Sequence, residues 1–197
     1  MGRPVKFDRQ TAVEQVMNEI WRSGFEACSV KALSEKLGIT RSSYYNAFKS
    51  REALFLEALE LYFSTSPDNV LARVDSDASI LRVLTRMFKE VCRRRAADPE
   101  VRGCMAVNCV AELVGVDETL GPVLEKAVLT SLDRLEHLLR QAVANGEIED
   151  SGDIREKALA LQNLLMGLNV MAKVVHSEKD LWAAARQTLK GLGLYSD

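Results

Sequence analysis

Between residues 41 and 46 the chain sets Arg41, Ser42, Ser43, Tyr45 and Asn46 almost side by side. Such a set has no general base to activate a nucleophile, so it is poorly suited to covalent chemistry. It is well suited to reading base edges, because Arg forks onto guanine, Asn pairs with adenine and Ser serves either. The surface that would use it is the major groove of double-stranded DNA. The other reactive side chains are scattered. His137 and His176 are the only histidines, and no nucleophile pattern, Gly-rich phosphate loop or metal-ligand spacing accompanies them. The sequence therefore argues against an enzyme and implies no cofactor and no metal. Cys28, Cys92, Cys104 and Cys109 form no CxxC pair. Cys104 and Cys109 would stand about 140° apart around one helix, too far round to bridge. Two readings stay open for them: small buried hydrophobes, or a redox-responsive thiol at Cys104 beside Arg102.

The elements that must hold the polar set can be read around it. Ser29 caps a helix whose Val30, Leu33 and Leu37 share a face, and Gly38 can end it in the left-handed conformation. Ile39 plugs the corner and Thr40 caps a second helix, whose Tyr44 and Phe48 pack back on the first. This is helix-turn-helix spacing; the alternative is an ordinary solvated helical hairpin. Upstream, Asp8 caps a helix with Val13, Val16, Met17, Ile20 and Trp21 on one face, stopped at Gly24, which completes a three-helix head. The segment before it, Gly2-Arg3-Pro4 with Lys6 and Arg9, is either an arm that lays Arg3 in a minor groove or a solvated basic tail. Downstream, Ser50 caps a linker helix over residues 51–63. Its N-terminus, flanked by Lys49 and Arg51, is a seat for a phosphate.

The stretch GITRSSYYNAFKSREAL is similar to the signature of TetR-family transcriptional regulators, G-[VI]-[ST]-x-x-x-[LF]-Y-x-x-F-x-[SN]-K-x-x-L. Gly38, Ile39, Thr40, Tyr45, Phe48, Ser50 and Leu54 occupy the expected places. Tyr44 replaces the usual Leu or Phe, and Arg51 the usual Lys. The resemblance implies a homodimeric, sequence-specific regulator that acts as a repressor and leaves its operator when a small-molecule effector binds. The DNA-facing set is then Arg3, Ser29, Thr40, Arg41, Ser42, Ser43, Tyr45, Asn46, Lys49 and Arg51. The block Gly103-Cys104-Met105-Ala106-Val107-Asn108 is similar to one found on the helix that roofs the ligand cavity in other members.

Composition agrees with a helical globular chain. Of 197 residues 47% are hydrophobic and 27% charged, with four prolines. No apolar run approaches the length of a membrane span, and the first ten residues lack the core of a secretory signal, so the cytoplasm is expected. Residues 1–51 hold nine Lys and Arg against five Asp and Glu, whereas the remainder holds 17 against 23. A phosphate-facing head on an acidic body would show that asymmetry.

The remainder reads as further helices, giving an all-α chain: a helix-turn-helix domain over 1–50 and a ligand-binding and dimerisation domain over 51–197. Residues 64–79 form a loop. A stripe of Leu81, Leu84, Phe88, Val91 and Cys92 ends at Arg93-Arg94-Arg95, where the helix dipole favours cations; a second nucleic-acid patch is the other reading. Asp98-Pro99 opens a helix over 100–114, and Gly121-Pro122 a long one ended by Asn145-Gly146. Asp153 with Glu156 boxes a helix over 154–175, apolar on nearly every side, and Ser177 begins the last. Met87, Phe88, Met105, Asn108, Leu113, Leu165 and Asn169 are the expected cavity lining. Leu161, Leu164, Leu168, Met171, Trp182 and Leu189 are the expected dimer contacts, since a helix apolar all round must bury two faces.

Overall fold

The computed structural model describes residues 8–75, 78–150 and 152–197, and within them the chain is helical with no strand. The head comprises α1 (Arg9–Ser23), α2 (Val30–Leu37) and α3 (Arg41–Phe48). Each begins at a side chain that accepts one of the amides a first turn leaves unpaired. Asp8 accepts from the Thr11 amide at 3.1 Å, Ser29 from Ala32 at 3.2 Å and Thr40 from Ser43 at 3.1 Å. Gly38 ends α2 with φ of 66°, which turns the chain so that the Ile39 amide reaches the Ser34 carbonyl. Ser50 then caps α4 (Arg51–Thr65), which packs along α1.

A short 3-10 turn over Pro67–Ala72 leads to α5 (Ile80–Ala96), α6 (Met105–Leu113), α7 (Gly121–Ala144), α8 (Ile154–Met171) and α9 (Glu178–Gly191). Two starts differ from expectation. Asp98 does not open a helix at Glu100. Its carboxylate accepts the amides of Glu100 and Arg102 at 3.3 and 2.9 Å, closing a turn in which Val101 has φ of 52° and Gly103 φ of 69°. Helix α6 begins only after that turn. Asp153 makes no capping hydrogen bond and pairs instead with Lys157 at 2.9 Å, and α8 stops at Met171.

Two buried clusters organise the packing. One joins Val16, Ile20, Phe25, Leu33, Tyr44 and Phe48 of the head to Leu54 and Phe55 of α4, Met105, Cys109 and Leu113 of α6, and Leu124 of α7. The other lies among α5, α7, α8 and α9, around Leu84, Phe88, Leu135, Leu139 and Leu165. The head core thus runs past residue 50 into α4 and α6. Three expected dimer contacts belong to the second cluster: Leu161, Leu168 and Leu189 are 0, 4 and 0% exposed. Leu164 and Trp182 are half-buried against it, while Met171 faces outward. Because α8 is apolar on both sides, its sequence does not say which stripe turns inward. The structure chooses Leu161, Leu165, Leu168 and Ala172, leaving Leu159, Val170 and Val174 exposed.

Candidate nucleic-acid interface and effector cavity

Tyr44 and Phe48 are buried and meet at 5.4 Å between ring centroids, which fixes the rotation of α3. That rotation exposes Arg41, Ser42, Ser43, Tyr45 and Asn46 together on one short helix, with Lys49 exposed just past its end. Tyr45 rests edge-on against Tyr44 at 5.8 Å, so its ring is steered while half of its surface stays open. Ser29 and Thr40 are exposed but serve as caps, and Thr40 also bonds the Ser43 hydroxyl at 3.0 Å. Lys49 links α3 to α4 with φ of 66°, its amide donating to the Tyr45 carbonyl at 2.9 Å.

Arg51 has partners within the protein. Its guanidinium lies 3.9 Å from the Phe25 ring centroid and pairs with Glu26 at 3.1 Å. It ties α4 to the turn after α1. Arg9 plays a comparable part. It stacks on Phe48 at 4.9 Å, donates to the Ala47 carbonyl and pairs with Glu57 at 2.5 Å, which clamps the end of α3. Arg3 and the arm around it lie outside the described residues.

The far end of α4 borders a cavity of about 60 Å³, open on one side and walled by α4 to α8. Of the expected lining, Leu165 and Asn169 are present. Met87, Phe88, Met105 and Leu113 are instead packed into the two cores. Asn108 donates to the Arg102 carbonyl at 2.9 Å and accepts from Lys173 at 3.0 Å. Val91, Val107, Val110, Leu124, Val128 and Leu165 give the wall an apolar stretch.

Across that wall runs a buried polar chain. Arg95 Nε donates to Asn169 Oδ1 at 2.6 Å, Arg95 Nη2 to the Tyr62 hydroxyl at 2.9 Å, and that hydroxyl to Cys104 Sγ at 3.1 Å. Burial, reinforced by Cys104, holds the Tyr62 hydroxyl well above its usual range. Ser131 donates to Gln162 at 2.9 Å on the same wall. Arg95, 7% exposed, is therefore no solvated cation at a helix end. Arg93 and Arg94 are; both bond Glu90 at 2.7 Å and hold its carboxyl down to about 2. The sequence did carry a signal. Leu84, Phe88, Val91 and Arg95 follow the inward spacing of α5, and the triple Arg obscured it. Of the other thiols, Cys28, Cys92 and Cys109 are buried, and desolvation raises them to about 11, 12 and 12.

A second link joins cavity and head. Glu112, on α6, accepts the backbone amides of Phe25 and Glu26 at 3.0 and 2.9 Å. Arg102 donates to Asn18 at 3.0 Å and stacks on Trp21 at 4.0 Å. The head thus leans on the helix that lines the cavity.

A helix-turn-helix whose second helix shows an exposed face rich in hydrogen-bond donors, carried on a helical body, is the build of a DNA-binding transcriptional regulator. Sequence comparison narrows the class. Residues 14–58 match the bacterial regulatory proteins of the tetR family, and residues 81–188 the Tetracyclin repressor-like C-terminal domain. The chain belongs to the TetR family, whose members are regulators and not enzymes. A cysteine-substituted form of the TetR family transcriptional regulator CifR, solved with 26-bp double-stranded operator DNA, superposes with a TM-score of 0.83. It is 30% identical, over 96% of this chain and 98% of that one. The HTH-type transcriptional repressor ComR of Escherichia coli (strain K12) is 26% identical over 194 residues, 96% of this chain and 90% of ComR. The uncharacterized HTH-type transcriptional regulator YezE of Bacillus subtilis (strain 168) is 26% identical over 175 residues, 88% and 90% of the two chains. No helix among the described residues is long and apolar enough to cross a membrane.

Proposed function

We propose that the chain is a cytoplasmic repressor that grips an operator as a homodimer and releases it when a small molecule occupies the cavity. Residues 1–50 read the DNA and residues 51–197 hold the effector and the second subunit. The observation that carries the switch is the reach of α4. Its first residue, Arg51, stands two positions past Lys49 at the end of α3, and Tyr62 and Phe63 towards its other end line the cavity, about 17 Å away at 1.5 Å per residue. A ligand that shifts this end of α4 moves the recognition helix, with Glu112 as a parallel strut. The solved CifR–operator complex and the repressor ComR support DNA binding and repression as the expected pair of properties.

The homodimer reading rests on the outward stripe of α8 and the turn that follows it, where Leu159, Val170, Met171 and Val174 are 48, 52, 51 and 78% exposed. Asn163 and Gly167 stand between them and bring no charge. Two such stripes, with the flanking α9 helices, form a four-helix contact across a two-fold axis.

The test selects operators from random DNA fragments with the intact protein and footprints the bound site. A two-fold symmetric footprint with half-sites about one helical turn apart, or a multiple, is expected. Operator affinity is then measured with and without compounds that raise the melting temperature of the protein. Linkage makes the weakening of DNA by ligand equal the weakening of ligand by DNA, roughly 5–150-fold. An asymmetric single-site footprint overturns the dimeric reading, and an affinity unchanged at saturating ligand overturns the switch.

A further inference from the structure

We infer that the cavity receives an organic anion, a carboxylate on an apolar body, and that Arg95 recognises its charge; this rests on the reading of the cavity as the effector site. Arg95 is nearly fully buried on the cavity wall. Its observed partners are the Asn169 amide oxygen and the Tyr62 hydroxyl, both neutral acceptors. The Trp21 ring, 5.7 Å away, adds a π face but no charge. Tyr62 cannot supply the missing anion, because burial keeps it protonated and its proton goes to Cys104. Among the described residues no carboxylate forms an ion pair with Arg95, while its neighbours Arg93 and Arg94 share Glu90 outside.

One acidic side chain does line the cavity. Asp68 stands on the 3-10 turn, takes a hydrogen bond from Ser66, and also borders a neighbouring groove with Lys126 and Arg134. Its charge reaches the Tyr62 hydroxyl, but it forms no ion pair with Arg95, whose hydrogen-bond partners are both neutral. Burying a charge without its opposite is costly, and a ligand that brings the opposite charge recovers that cost. A guanidinium has five N–H donors in a planar fork, and two are engaged here, so the fork can still take a carboxylate. The Gln162 amide and the Ser131 hydroxyl stand on the same wall to orient it, and the valines and leucines fit its apolar body.

The test uses the intact protein and a panel of straight-chain and aryl carboxylates, octanoate and phenylacetate among them, each paired with its uncharged primary amide. Binding is measured by calorimetry and operator release separately. At least one carboxylate is expected to bind, with its amide at least about tenfold weaker, a difference of about 1.4 kcal/mol. Asn169→Asp, close in shape, places a carboxylate beside Arg95 and is expected to raise the melting temperature while weakening carboxylate binding at least about tenfold. Arg95→Gln should weaken it similarly, with circular dichroism reporting whether the protein remains folded. Amides that bind as well as acids, a panel in which no acid binds, or an Asn169→Asp protein with undiminished carboxylate binding each overturn the anion site. Carboxylates that bind in this pattern without releasing the operator sustain the anion site and overturn the switch. Uncharged compounds that release the operator while carboxylates do not bind sustain the switch and overturn the anion site.

Discussion

The Tyr44 hydroxyl is fully buried with no hydrogen-bond partner among the described residues. Desolvation pushes it up to about 12, so it stays neutral in an apolar setting. Removing a stranded hydroxyl recovers part of its desolvation cost, so Tyr44→Phe should stabilise the protein by about 1 kcal/mol. Operator affinity should not change; a lower denaturant midpoint would reveal a hydrogen bond that Phe cannot replace. The two arginines that bracket α3 should behave differently. Arg41→Ala is expected to cost about 1–3 kcal/mol on the preferred operator and to relax one base position per half-site. Arg51, stacked on Phe25, should behave as a stability residue: Arg51→Ala lowers unfolding free energy by about 1 kcal/mol and leaves the salt slope of DNA binding unchanged. The sequence suggested otherwise because its position after Lys49 was visible and the packing of Phe25, in the turn after α1, was not. Arg95 was marked by the inward spacing of α5 but hidden within the triple Arg, and its partner Asn169 lies far along the chain.

Helix starts were legible wherever the cap lies within a few residues. Ser29, Thr40, Ser50 and Ser177 each bond an amide three positions on, so residue type and spacing sufficed. The start of α5 shows what such reading leaves out. Ser79 caps it locally, but Glu147, at the end of the turn after α7, also accepts the Ile80 and Leu81 amides at 2.9 and 3.2 Å and the Ser79 hydroxyl at 2.6 Å. Burial pushes the Glu147 carboxyl up, and these hydrogen bonds together more than offset that, holding it below the ordinary 4.5. A lowered folded pKa means stability that is complete above the unfolded value and disappears as pH falls through the folded one. Glu147→Gln should therefore cost about 1 kcal/mol at neutral pH. The gap from the parent should close as pH drops below 4.5, in urea unfolding followed by circular dichroism. A gap independent of pH would show that the amide serves as well as the carboxylate.

At the level of the molecule, all-helical character and the order of head and body were legible from periodicity and turn residues. The inner and outer stripes of α8 were not, because both are apolar and only the packed neighbours distinguish them. Val174→Glu, on the most exposed residue of the outer stripe, is expected to turn the dimer into monomers in sedimentation and to weaken operator binding through loss of the second linked head. Leu168→Glu, on the buried stripe, should unfold the body instead. A Val174→Glu protein that sediments as a dimer would move the interface elsewhere. The expected cut at residue 50 fares differently in the cores, which ignore it: Phe25 and Phe48 share one cluster with Leu54, Cys109 and Leu113. That shared cluster constrains how such a protein can be rebuilt or can diverge. A graft that trades only the first 50 residues for those of a relative brings a foreign surface against α4 and α6, and with it a mismatched floor under the reading helix. New DNA specificity is therefore acquired more cheaply by changing the outward side chains of α3 one at a time than by exchanging heads whole.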